Sequence, residues 1–135
     1  MDCIFCKIVA GEIPAKILAE TENSIAFMDA FPLTKGHSLV IPKKHYEKIQ
    51  DIPSNENSEL FSTVQKIISK VDKLTGATLV AIHNGKEAGQ EIPHVHVHLI
   101  PRSSEDGAGA VHSMFKSEIQ MTNDELFELY DKLKE

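Results

Sequence analysis

Cysteine is scarce in this chain: there are two, Cys3 and Cys6, in 135 residues. Two are too few for a disulfide scaffold. Long apolar runs are missing as well. Ser38-Leu39-Val40-Ile41 and Leu79-Val80-Ala81-Ile82 are typical stretches, far short of the ~20 residues that span a bilayer. The opening Met1-Asp2-Cys3 carries neither a basic n-region nor an apolar h-region. No signal peptide is therefore expected, and a reducing compartment, the cytoplasm, is. Positive charge is in deficit, with Lys plus Arg at 14 against Asp plus Glu at 20, a net charge of -6. Phosphate-backbone affinity comes from clustered cations, so neither nucleic acid nor a membrane is expected as a partner. Repeats, low-complexity tracts and linkers are absent too. What remains is 41% hydrophobic and 25% charged, ordinary for a soluble globular protein. The length suits one domain that buries roughly two-thirds of its unfolded surface. A disordered chain, a collagen and a coiled-coil rod are excluded.

The apolar spacing sketches the elements. Ile4, Phe5, Ile8 and Val9 with Gly11 predict a short N-terminal helix. Lys16–Glu20 and Ser24–Asp29 read as a hairpin, and His37–Ile41 as a strand ended by Pro42. Leu60, Phe61, Val64, Ile67, Ile68, Val71 and Leu74 keep the 3.6-residue period, predicting a helix from Ser54 to Thr75 stopped by Gly76. Thr78–His83 reads as a buried strand, Asn84–Pro93 as a glycine-bearing loop, His94–Ile100 as a strand and Ser103–Gly109 as a flexible stretch. Thr122-Asn123-Asp124-Glu125 is a capping box opening a last helix. Strands in hairpin order imply an α+β fold with an antiparallel sheet. Residues 1–102 would hold the core, and 103–135 a C-terminal loop and helix of the same single domain.

His94-Val95-His96-Val97-His98 carries the most information. Side chains alternate faces along a strand, so the imidazoles share one face and the valines the other. Two chemistries fit: a catalytic zinc held by the histidines, or an imidazole nucleophile attacking phosphorus. The preceding Asn84-Gly85-Lys86-Glu87-Ala88-Gly89-Gln90-Glu91 loop offers backbone N–H groups that can cradle phosphate, or is an ordinary hairpin loop. Cys3-x-x-Cys6 admits a redox pair, a disulfide, or half of a tetrahedral zinc site. Only two residues precede Cys3, which leaves no room for the strand a thioredoxin-like pair follows.

Asn84–Arg102 resembles the histidine triad family of nucleotide hydrolases and transferases. Ile4-Phe5-Cys6-Lys7-Ile8, Glu12-Ile13-Pro14, Ala26-Phe27-Met28-Asp29 and Leu39-Val40-Ile41-Pro42-Lys43-Lys44-His45 look like family segments in family order. The resemblance spans Asp2 to Arg102. It implies a HIT-like fold, with about five antiparallel strands, one long central helix, a short N-terminal helix and a C-terminal helix.

It also implies roles. His96 would be the nucleophile and His98 would contact the α-phosphate and bridging atom. A glutamine at the latter position marks family transferases, so His98 points to a hydrolase. Asn84, Gln90 and the backbone N–H of Glu91 would donate to phosphate. Asp29 would accept from the ribose hydroxyls, unless it merely starts a turn. Phe5, Ile8, Ile13 and Phe27 would line the base slot, or pack as core. Glu91 departs from the Ser or Thr many relatives carry, which puts a side-chain role there in doubt. Microbial members with this Cys-x-x-Cys complete a zinc site with the residues matching His45 and His94, so Cys3, Cys6, His45 and His94 would hold one structural zinc per chain. The substrate would be a purine nucleotide and the assembly a homodimer. The readings kept open are a phosphoramidate, nucleotidyl-adduct or dinucleoside polyphosphate hydrolase, a zinc hydrolase built on the triad, and a non-catalytic nucleotide sensor. His37, His83 and His112 have no assigned partner.

Overall fold

The computed structural model describes residues 2–116 and 118–135. Its elements in order are α1 (Ile4–Val9), β1 (Ile17–Glu20), β2 (Ser24–Met28), β3 (Ser38–Pro42), α2 (Ser54–Thr75), β4 (Thr78–Ala81), β5 (Val97–Pro101) and α3 (Asn123–Leu133). The strands form one antiparallel sheet in the order β1-β2-β3-β5-β4. The fold is thus the expected α+β arrangement of five strands and three helices.

Strand alternation divides the interior in two. Ala26, Val40, Val95, Val97 and Leu99 face α2, where they meet Leu60, Val64, Ile67 and Val71. Ile25, Phe27, Leu39 and Ile41 face the other way, toward Cys3 and Phe5 beside α1. Burying each large apolar side chain contributes about 1.5–3 kcal/mol. The helix α2 has the bounds its spacing predicts. Gly76 stops it at φ 85°, a left-handed conformation that costs glycine nothing.

Several expectations need correction. β4 ends at Ala81 rather than His83, and it is a sheet edge with Val80 43% exposed rather than a buried strand. Pro42 lies inside β3, paired with Ser24. The triad strand joins the ladder only from Val97. Before that point the N–H of Val95 donates to the Tyr46 carbonyl at 2.7 Å, outside the sheet. Residues 103–109 are tied down. The Arg102 guanidinium pairs with Asp106 at 2.6 Å and donates to the Ala108 and Gly109 carbonyls. That pair holds the Asp106 carboxyl well below the usual range. Thr122 and Glu125 form the expected capping box of α3. Beyond Asp106 every described residue is exposed, including Phe115, Leu126, Phe127 and Tyr130. Among the described residues, no helix is long and apolar enough to cross a membrane.

Candidate active site

Register gathers the histidines. Leu39 pairs with His98, and Phe27 pairs with Leu39. Asp29, His37, His96 and His98 therefore fall on the α1 face, each an even number of residues from those partners. Ala81 also pairs with His98, so His83, two residues on, reaches the same face. Its ring centroid is 5.4 Å from that of His98. The rings of His96 and His98 are 4.9 Å apart, and that of His37 is 5.2 Å from His98. His37 and His83 are thus site residues that the sequence reading left unassigned. Their signal was parity with Leu39 and Ala81, visible only once the strands were registered. His112 lies on the exposed 3-10 turn Val111–Met114 and joins no cluster described here.

His96 is prepared in one tautomer. Its Nδ1–H donates to the His94 carbonyl at 2.8 Å, which leaves Nε2 with a lone pair. The residue is 7% exposed, and the Phe5 ring lies 5.0 Å from its own. Burial lowers its pKa, partly offset by the bond to the His94 carbonyl. Burial, with the nearby His96, His37 and His83, pushes His98 down to about 4. Both imidazoles are neutral at pH 7.

The Cys-x-x-Cys pair meets two imidazoles. Cys6 Sγ lies 3.3 Å from His45 Nδ1 and 3.6 Å from His94 Nδ1, and Cys3 Sγ lies 3.5 Å from His94 Nδ1. Together the four residues form a possible metal site. Zinc bonds of about 2.3 Å to sulfur and 2.0 Å to nitrogen give tetrahedral edges of about 3.5 Å, so the donors fit. The tautomer fits too. His94 Nε2–H donates to the Pro42 carbonyl at 2.8 Å, turning the Nδ1 lone pair to the sulfurs. Burial pushes His94 down to about 4, and burial plus Cys3 raises the Cys6 thiol. His96 belongs to neither of the two groups of potential metal ligands among the described residues. The three triad imidazoles do not converge on one ion.

The two amides expected to donate to phosphate, Asn84 and Gln90, make contacts within and beside the loop. The Asn84 amide accepts from the Ile49 N–H at 2.9 Å and donates to Gln50. The Gln90 amide accepts from the Gly85 N–H and donates to the Glu47 and Ile92 carbonyls at 2.8 and 3.1 Å. Both side chains brace the loop through these bonds, and one N–H of the Asn84 amide stays uncommitted among the described residues. Gly89 sits beside the His83 ring at φ 103°, a left-handed conformation that favours glycine. The backbone N–H of Glu91 is committed to no acceptor among the described residues, and its side chain is exposed. A cleft of about 530 Å³ is lined by Glu47, Lys86, Gly89, Gln90, Glu91 and Pro93. None of the histidines lines it.

The nucleoside end is mixed. Asp29 Oδ1 accepts from the Phe31 N–H at 2.9 Å, so Asp29 does start a turn, while its Oδ2 lies 3.5 Å from His37 Nε2. Phe5 and Phe27 are 5% and 3% exposed with rings 5.8 Å apart. Both rings pack in the core on the α1 face, and that of Phe5 lies against His96. Ile8 and Ile13 keep partly open surface.

Comparison with known proteins agrees with this fold. The HIT domain family profile matches residues 10–105. The adenosine 5'-monophosphoramidase of Schizosaccharomyces pombe is 42% identical over 106 residues, covering 78% of each chain. The crystal structure of a HIT family member from Bacillus subtilis superposes with TM-score 0.89 at 35% identity, covering 99% of this chain and 96% of that one. A zinc-bound histidine triad family protein from Mycobacterium smegmatis superposes with TM-score 0.69 at 36% identity, covering 79% of each. With a family profile spanning most of its length, the chain belongs to the histidine triad, or HIT, family.

Proposed function

We propose that this protein is a nucleotide hydrolase that cleaves nucleoside 5'-phosphoramidates, nucleotidyl adducts or dinucleoside polyphosphates through a covalent nucleotidyl-histidine intermediate. The observation that carries the reading is the free Nε2 of His96, whose other nitrogen is tied to the His94 carbonyl. An attacking imidazole needs that tautomer. The Nε2 lone pair bonds to the α-phosphorus, and the bond from phosphorus to the leaving nitrogen or oxygen breaks with its electron pair. Water then attacks phosphorus, the bond to His96 breaks, and a nucleoside monophosphate departs. His98 contacts the α-phosphate and bridging atom, and the Glu91 N–H donates to a phosphoryl oxygen. The Schizosaccharomyces pombe relative, a monophosphoramidase by name, supports the reaction class and a purine nucleotide as substrate. Asp29 Oδ2 accepts from the ribose hydroxyls, and Ile8 and Ile13 border the base.

Cys3, Cys6, His45 and His94 hold one structural zinc per chain. Four protein ligands leave no open position for a substrate. The ion pins α1 to the sheet and steadies the residue whose carbonyl orients His96. The zinc-bound Mycobacterium smegmatis neighbour supports the metal's identity, and two free thiols suit the reducing cytoplasm. The single domain comprises a core in residues 1–102 and an arm in 103–135. A homodimer would cover the open β4 edge and the apolar side chains of α3. The net charge of -6 disfavours nucleic acid as a partner.

The test is His96→Ala against an adenosine 5'-phosphoramidate. Turnover should vanish while the thermal transition stays within a few degrees of wild type. Undiminished turnover would remove the proposal.

A further inference from the structure

His37 is 2% exposed, and its contacts form a directed chain. Its Nδ1 accepts from the Leu33 backbone N–H at 3.0 Å. A ring nitrogen that accepts carries no proton, and a neutral imidazole then carries its proton on the other nitrogen. Burial lowers the pKa of His37, opposed by the Asp29 charge, which keeps the ring neutral. The proton therefore sits on Nε2. That atom lies 2.9 Å from His98 Nδ1 and 3.5 Å from Asp29 Oδ2. Two lone pairs facing at the shorter distance would repel, so one nitrogen donates across it, and His37 is the ring with a proton there. His98 Nδ1 accepts, and the His98 proton is left on Nε2.

The same trio, Asp29, His37 and His98, has donor atoms close enough together to hold a metal ion. The Leu33 amide argues against that use. A metal would need the Nε2 lone pair of His37, and this nitrogen is protonated while the amide donates to Nδ1.

We propose that His37 is a positioning residue that fixes His98 in the Nε2–H tautomer, so that a hydrogen-bond donor and not a lone pair faces the substrate phosphate beside His96. The proposal rests on the hydrolase reading above. A lone pair would repel phosphoryl oxygens, whereas a fixed N–H stabilises the charge that develops on them and on the bridging atom. His98 keeps its proton throughout, so the effect is electrostatic and no proton changes hands along the chain from Leu33. The order matches the site: the backbone orients His37, His37 orients His98, and His98 meets the substrate.

Long-range proton–nitrogen correlation spectra of protein labelled with ¹⁵N-histidine read the tautomer in the folded chain, with the His98 signals assigned by their loss in His98→Asn. The expected pattern is a protonated Nε2 and an unprotonated Nδ1 on His98. A protonated Nδ1 overturns the proposal whatever the turnover. The kinetic arm compares His37→Phe, which keeps bulk without a donor, with His37→Gln, which returns an N–H near the Nε2 position. With an adenosine phosphoramidate, His37→Phe should lose about 10–100-fold in kcat with little change in KM, and His37→Gln should recover most of it. Equal losses in both variants, or a loss confined to KM, overturn the proposal. A wild-type protein with no turnover would sink the hydrolase reading alone, and the spectrum would still decide the tautomer.

Discussion

Removing the proposed zinc is the perturbation whose size follows most directly from the structure. Three of the sulfur-to-nitrogen distances are 3.3 to 3.6 Å, all four donor atoms lie within 4.8 Å of one another, and His94 is already turned by the Pro42 carbonyl. Little reorganisation opposes binding, so affinity should be high. A ligand that binds only the folded state at a thousandfold excess over its Kd adds about 4 kcal/mol to unfolding. For a chain of this length, 1 kcal/mol moves Tm by about 3–5 °C. Chelation should therefore lower Tm by about 12–20 °C. The fold should survive below that temperature, because Phe5, Phe27, Leu39 and Ile41 pack around the site without help from an ion. Cys6→Ser should reproduce the loss and make the protein insensitive to chelator. The assay is a thermal scan of zinc-loaded, chelated and variant protein, with metal counted by mass spectrometry. A wild-type chain that retains no zinc after dialysis, with equal Tm in all three samples, would refute the reasoning.

Other predictions test other links of the account. Ile67→Ala opens a cavity against the sheet at a fully buried position and should cost about 2–5 kcal/mol in urea unfolding. His98 titrates at about 4 in the folded protein and His37 is also lowered, against about 6.5 when unfolded. Between those values the unfolded chain binds more protons, so the stability of chelated protein should fall as pH drops from about 6.5 toward 4. A stability that rises over that window would contradict the buried, neutral histidines. Asp106→Asn weakens the pair with Arg102 that ties down residues 103–109. Limited proteolysis should then cut within that loop well before it cuts wild type.

The sequence revealed most where one periodicity governed one element. Leu60, Val64, Ile67 and Val71 form a single stripe that only a long helix explains, and Gly76 marks its end. The alternation of His94 to His98 placed the imidazoles on one face even though pairing begins only at Val97, because an extended segment alternates with or without a ladder. The reading failed where meaning depended on register or on partners far along the chain. The apolar run Leu79-Val80-Ala81-Ile82 reads the same whether or not a further strand pairs beyond it, so the β4 edge stayed hidden. His37 gained a role only when β3 lay beside β5, which brings it to His98. The contacts that Asn84 and Gln90 make with Ile49, Gln50, Glu47 and Ile92 were equally invisible to local pattern. Phe5 and Phe27 share a cluster with Ile25, Leu39 and Ile41, a grouping that also needed the register.

The claim on which the account turns is the transient bond between His96 and phosphorus. Protein mixed with an adenosine phosphoramidate, quenched in base and digested, should yield by mass spectrometry an adenylylated peptide with the modification on His96. The adduct should be absent from His96→Ala. Turnover by wild-type protein with no trapped adduct, or an adduct on another histidine, would contradict it.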